Sequence, residues 1–522
     1  MSPNGDTYAD KNSFVRFSDP NLDPSRSQTR LVIANVHLAH SDPEEEKKLW
    51  DVVIEKGFIQ SVQPAAPHFT RRPSLLSWIS RSPPSQFVID ANGEGLLLPS
   101  LCHAHIHLDK CFLLDQCGSL ETGTFNEAMR VTSEAKASFA VNSQDLYDRG
   151  KRLIGDSLAA GVTTIRAHVE VDTTVRFACL DAATRLKTEF ARLCDIQICA
   201  FAQDPLFSAD GNVEELSDNA KLLEEAARRS SVSVIGSAPY VEPTRRGSLA
   251  NIDFILDLAR QGNAEKKLLV DFHLDYNLSE ETAPMVYDVI AAMRAVQWTT
   301  ESPRVTLGHC TRWSLFSPDE WARLKAAIGE LPISLVALPQ SDVYMMRTSE
   351  RRRGTVDAHV AAGAGVDVAL AVNNVGNAFT PQGSADPLGL VPLGVALYQD
   401  ATSPALRRLL RCVSTAARGA IAFSQPPHQG LLPHAGGEDD LLVREGDAAD
   451  LVLLPRRSSV RAAALDPCFS RITIRSGNIV ARRDTSVVFT DDTHFRQSPN
   501  LSWCLWVGAG ILIGVGIFQC RR

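Results

Sequence analysis

The chain has 522 residues, with 53 Lys plus Arg against 61 Asp plus Glu and a formal net charge of -8. That length exceeds one ordinary domain unless the domain is a barrel, and 44% hydrophobic with 22% charged residues excludes a mainly disordered chain. The acidic balance leaves no basic footprint for nucleic acid. Eleven cysteines without paired spacing exclude a secreted disulfide scaffold, so a reducing, cytoplasmic setting is expected for the folded part.

Residues 1–28 are polar and read as a disordered lead-in. From Arg30 the runs LVIANVHL and DVVIEKGFIQSV read as strands, with Glu55-Lys56-Gly57 at a turn. Residues 64–86 form a Pro- and Ser-rich insertion. Near the other end, DAADLVLLP (447–455) and SRITIRSGNIVARR (470–483) again read as strands, with Ser476-Gly477-Asn478 at a turn. Segments 29–95 and 440–487 are therefore expected to pack together as a small terminal β-sandwich.

Residues 96–439 carry a repeating rhythm. Short apolar runs at 95–107, 162–169, 196–203, 231–239, 267–274, 304–310, 333–338 and 366–372 are separated mostly by helical patterns such as VEELSDNAKLLEEAARR. Eight strand-like runs alternating with helices predict an α/β fold, a (β/α)8 TIM-type barrel with a parallel sheet buried on both faces. The bland alternative is an open doubly wound sheet.

Histidines end several of these runs: His105 and His107 the first, His168 the second, His273 the fifth and His309 the sixth. Residues i and i+2 of a strand share a face, so His105 and His107 can converge on one ion, with His273 reaching in across the mouth. Three neutral imidazoles leave positions open for water, as a catalytic metal site requires. His103 shares their parity but lies deeper and reads as a packed residue or as one that supports the ligands from behind.

In this order PSLCHAHIHLDK, TTIRAHVEV, IQICAFAQ, VDFHLD and RVTLGHCT resemble the amidohydrolase superfamily and, within it, bacterial-type cytosine deaminase. The resemblance runs from about Arg30 to about Arg483. It implies a distorted (β/α)8 barrel with a terminal β-sandwich, one divalent metal, zinc or iron, and hydrolysis of a C–N bond in a small cyclic amide or amidine. By the same resemblance His105, His107 and His273 are metal ligands and His309 orients the attacking water. Gln203 reads the amide edge of the substrate with Phe201 beside it, and Phe379 covers the substrate.

Two positions depart from the pattern. Where the family has a proton-shuttling glutamate the chain has Tyr276, and where it has a metal-binding aspartate the chain has Asn373. Strand parity offers substitutes at the mouth: Glu170 with His168 toward substrate, and Asp275 either taking a proton from water or orienting a ligand histidine. Tyr276 could donate to a developing anion. A second reading, carried by Tyr276 and Asn373, is an inert or altered-chemistry protein of the same fold. The expected partner is a small-molecule substrate, with self-association left open.

Residues 488–522 extend beyond the resemblance. Leu501–Phe518 is an uncharged run of eighteen residues. As a helix it would span about 27 Å, so it is a candidate transmembrane anchor at 501–518.

Overall fold

The computed structural model describes residues 30–65, 87–208, 212–263, 266–348, 353–423 and 440–485. The lead-in 1–28, most of the 64–86 insertion and the 488–522 extension with its 501–518 run lie outside the described residues. Among the described residues no helix is long and apolar enough to cross a membrane.

Five strands come first: β1 Arg30–Leu38, β2 Trp50–Glu55, β3 Phe58–Pro64, β4 Phe87–Asp90 and β5 Gly95–Pro99. The next eight are β6 Leu101–His107, β7 Val162–Glu170, β8 Asp195–Ala202, β9 Val232–Ser237, β10 Leu269–Leu274, β11 Val305–His309, β12 Ile333–Ala337 and β13 Asp367–Leu370. Three close the series, β14 Leu451–Pro455, β15 Arg471–Arg475 and β16 Asn478–Arg483.

The terminal strands form one sheet in the order β16-β15-β14-β5-β1-β2-β3, with β4 also on β1. Its two tight turns follow from their residues. Lys56 and Gly57 (φ 51° and 83°) and Ser476 and Gly477 (φ 47° and 75°) supply the consecutive positive φ values that a two-residue hairpin needs. The pairing of β1 slips between Ile33 and Val36, and the strand changes partner from β4 to β5 across that bulge. The sheet thus folds on itself around Leu31, Ile33, Leu97, Leu451, Leu453 and Ile474, one apolar cluster drawn from both ends of the chain.

The other eight strands run parallel in the order β13-β12-β11-β10-β9-β8-β7-β6. The chain beyond β13 completes the ring. The amide of His107 donates to the carbonyl of Asn373 at 2.9 Å, and the amide of Asn373 to that of His105 at 3.2 Å. The barrel and sandwich expected from the sequence are present. The run 95–107, read as one strand, is two: β5 belongs to the terminal sheet, and β6 starts after Ser100 as the first barrel strand.

The barrel floor is polar. Arg166 of β7 donates to Asp271 Oδ2 and Thr306 Oγ1, both at 2.8 Å, and to the Ile421 carbonyl at 2.9 Å. Ile421 directly follows the helix Thr415–Ala420, which brings carbonyls to this end of the barrel. Gly236 of β9 is what allows the neighbouring strand to approach, since a Cβ there would lie 2.3 Å from the Asp271 carbonyl and 3.0 Å from the Phe201 ring. A backbone oxygen cannot swing away. Gly236→Ala is therefore expected to destabilise the fold by about 1–3 kcal/mol or more through overpacking, read as a lower urea midpoint with an unchanged slope.

Candidate metal centre

Inward-facing residues stack in layers up the barrel. β7 places Arg166, His168 and Glu170 at successive alternate positions, and β10 does the same with Asp271 and His273. Above the polar floor lie the histidines, and above them the residues of the mouth.

The ligating atoms of His105, His168 and His273 all lie within 4.8 Å of one another, and all three residues are buried. His105 Nε2 and His273 Nε2 are 3.0 Å apart, and the rings of His105 and His168 stack with centroids 3.9 Å apart. Gly308 eases this approach, because a Cβ on it would press to 3.1 Å from His105 Cε1. Burial, and after it the neighbouring His168 and His309, holds His105 far below the usual imidazole range. Burial and then His105 do the same to His273. Neutral imidazoles are the form that ligates a cation.

Buried polar atoms without a hydrogen-bond partner gather here: His105 Nδ1, His107 Nδ1, both ring nitrogens of His168, Asp271 Oδ1 and Asn373 Oδ1. Such atoms are costly in a folded interior unless something pairs with them. A divalent cation fits among the histidines of this group, while His105 Nδ1 and Asp271 Oδ1 face each other at 3.8 Å.

The sequence paired His107 with His105 and His273, and the compact set contains His168 instead. The His107 ring is 5.5 Å from that of His105 and 5.2 Å from that of His273, so it stays in the cluster. The i, i+2 argument assumes unbroken alternation, and the β6–β7 register shifts between His103 and Ile106. His103 is packed as expected, with Nε2 3.2 Å from Ser157 Oγ.

His309 stands beside the set, its ring 5.0 Å from that of His273. Its Nδ1 is 2.8 Å from Asp342 Oδ1. A carboxylate accepts only, so the contact puts a proton on Nδ1, and Nε2 is the nitrogen that bears the lone pair in the corresponding tautomer. Burial raises the Asp342 pKa, and the bond to His309 opposes that rise. Tyr276 lies against His309 with ring centroids 3.9 Å apart. His309, Asn373 and Asp275 all have positive φ (67°, 67° and 49°), sparsely populated for such residues and concentrated where the strands end.

Asp275 does not join the cluster through its carboxylate. Its Oδ1 accepts from the Met285 amide at 2.6 Å and its Oδ2 from Trp313 Nε1 at 2.8 Å, which anchors the helix Val286–Ala295 and the turn after β11. Burial pushes it up to about 6 against these bonds. Phe201, expected beside the substrate, is wholly buried with its ring 4.1 Å from that of His273. It forms a wall one layer below Gln203. Gln203 bonds to Tyr240 through its side chain, and Phe379, Tyr276 and Phe125 form the apolar cover of the mouth.

Glu170 is committed to lysines. Lys110 Nζ lies 2.7 Å from its Oε1 and Lys136 Nζ 2.6 Å from its Oε2. Burial alone would raise Glu170, but the two ammonium groups hold it down to about 2. Lys136 also reaches Asp172 at 2.6 Å and Asp204 at 3.1 Å. Sequence reasoning missed Asp342, Lys110, Lys136 and the Arg166–Asp271 pair. Only the last left a signal, because each member stands two positions before a strand-end histidine.

A histidine set at the mouth of an eight-stranded parallel barrel, beside a terminal sandwich, is what the resemblance to the amidohydrolase superfamily implied. Comparison with known proteins agrees, although no family model matches the chain. A pterin deaminase of Rhizobium rhizogenes (strain K84) is 24% identical over 439 residues, covering 83% of this chain and 88% of that protein. The N-isopropylammelide isopropyl amidohydrolase of Pseudomonas sp. (strain ADP) is 23% identical, covering 76% and 89%. In fold, the 5-methylcytosine deaminase of Klebsiella pneumoniae superposes with a TM-score of 0.71 at 22% identity, over 88% of this chain and 99% of that one. An adenosine deaminase of Xanthomonas campestris with bound zinc superposes with a TM-score of 0.55 at 16% identity, over 86% and 92%.

Glu170 balances two buried cations, so Glu170→Gln is expected to cost about 3–5 kcal/mol of folding stability. Guanidinium unfolding of the full chain measures this, and a surface-like loss under ~1 kcal/mol would show the network to be dispensable.

Proposed function

We propose that this protein is a metal-dependent hydrolase that attacks a carbon–nitrogen bond of a small cyclic amide or amidine with an activated water. The observation that carries the reading is the compact set of His105, His168 and His273 with orphaned polar atoms around it. The two curated relatives, a deaminase and an amidohydrolase, support the reaction type. One divalent cation held by these histidines, zinc or iron, supplies Lewis acidity to water or substrate.

The chain's own groups do the rest. His309, fixed by Asp342, takes the proton of the attacking water at Nε2 and returns it to the leaving nitrogen. Tyr276 occupies the position where the family pattern has a glutamate, and by lying against His309 it holds that ring in place. Asn373 offers a neutral oxygen beside the β6 histidines, and His107 completes the wall. Gln203, paired with Tyr240, presents an amide that reads the polar edge of a planar ring, and Phe379 closes over it.

The test is release of ammonia or amine from a panel of cyclic amides and amidines by the zinc-loaded chain. His273→Ala is expected to abolish both turnover and metal retention, and His309→Ala to lower kcat by about 10²–10⁴ while leaving the metal bound. A wild-type chain that holds no metal and turns over nothing in the panel overturns the reading. The uncharged 501–518 run further supports attachment to a membrane. A chain ended at Ser498 is then expected to shift to the soluble fraction, and an unchanged distribution rejects the attachment.

A further inference from the structure

We infer that Asp271, clamped by Arg166, is the positioning residue that aims His105 and His168 at the cation, an inference that rests on the metal reading above. Asp271 precedes His273 by two residues on β10, and Arg166 precedes His168 by two on β7, so the pair lies one layer beneath the histidines. Both side chains are fully buried. Arg166 holds Asp271 Oδ2 at 2.8 Å and is itself fixed by Thr306 and the Ile421 carbonyl. The rotamer of the carboxylate is therefore set from below.

Its other oxygen is uncommitted. Oδ1 has no hydrogen-bond partner, yet it lies 3.3 Å from His168 Nε2 and 3.8 Å from His105 Nδ1. The opposite nitrogen of His105, Nε2, is the one 3.0 Å from His273. His105 is thus bracketed, with one nitrogen toward the carboxylate and the other toward the histidine set. A carboxylate in this place keeps the proton on the nitrogen that faces it and leaves the far lone pair for a cation.

The alternative, a plain ionic plug of the barrel floor, predicts effects on folding only. The full chain, stripped of metal with a chelator, is titrated with zinc and, as a spectroscopic probe, with cobalt(II). Asp271→Asn is expected to weaken zinc binding about 10–100-fold and to change the visible cobalt absorption. If that variant does not fold, R166M/D271N, which leaves no unpaired buried charge, carries the same titration. Zinc affinity and cobalt spectrum equal to wild type in the folded variant overturn the inference, provided His273→Ala loses the metal. If His273→Ala still binds one zinc with wild-type affinity, the metal centre itself is misplaced.

Discussion

The chemistry of this protein depends on ring closure. The backbone of Asn373 bonds to both His105 and His107, joining the end of the eighth barrel strand to the first. In an open sheet the strands bearing His105, His168, His273 and His309 would fan apart. Closure turns their inward files toward one axis, so residues more than 160 positions apart in sequence, such as His105 and His273, bring nitrogens to 3.0 Å. The same closure puts Asn373 itself beside the histidines, with an unpartnered side-chain oxygen.

Layering then separates the tasks. At the floor, charge is locked into the Arg166–Asp271 pair and shielded from water. In the middle, burial holds His105, His107 and His273 far below the usual imidazole range. At the mouth, Lys110 and Lys136 are matched inside the wall by Glu170 and Asp172, which leaves Gln203 and the aromatic cover as its uncharged part. Glycine is required where layers would otherwise collide. Gly236 admits the backbone of β10, and Gly308 admits the His105 ring. Asp342 completes the set from outside the strands, on the short helix Pro339–Met345 that follows β12.

The barrel was legible because eight short, mostly apolar runs alternate with helical patterns, the signature of parallel strands buried on both faces. Turn residues marked the hairpins at Lys56-Gly57 and Ser476-Gly477 for an equally local reason. The strand-end histidines were legible as a group, but their division of labour was not. Alternation along β6 is interrupted before Ile106, and only three-dimensional spacing shows that His168 rather than His107 completes the compact set. Asp275 was ambiguous because parity sets the face of the backbone but not the partners of a side chain. Its carboxylate turned out to serve Trp313 and the Met285 amide. Lys110 and Lys136 carried no sequence signal, since a lysine after a strand or inside a helix is ordinarily solvated.

The terminal sheet has a consequence for biosynthesis. Strand β5 pairs with β1 on one side and β14 on the other, and β14 in turn carries β15 and β16. The strand that covers the β5 edge, β14, begins at Leu451, more than 350 residues after β5 ends at Pro99. The β1–β5 half-sheet must wait, its edge unpaired, until the whole barrel has been synthesised. Completion of the sandwich therefore waits for the C-terminal strands, and until they arrive the β5 edge is open to pairing with other chains.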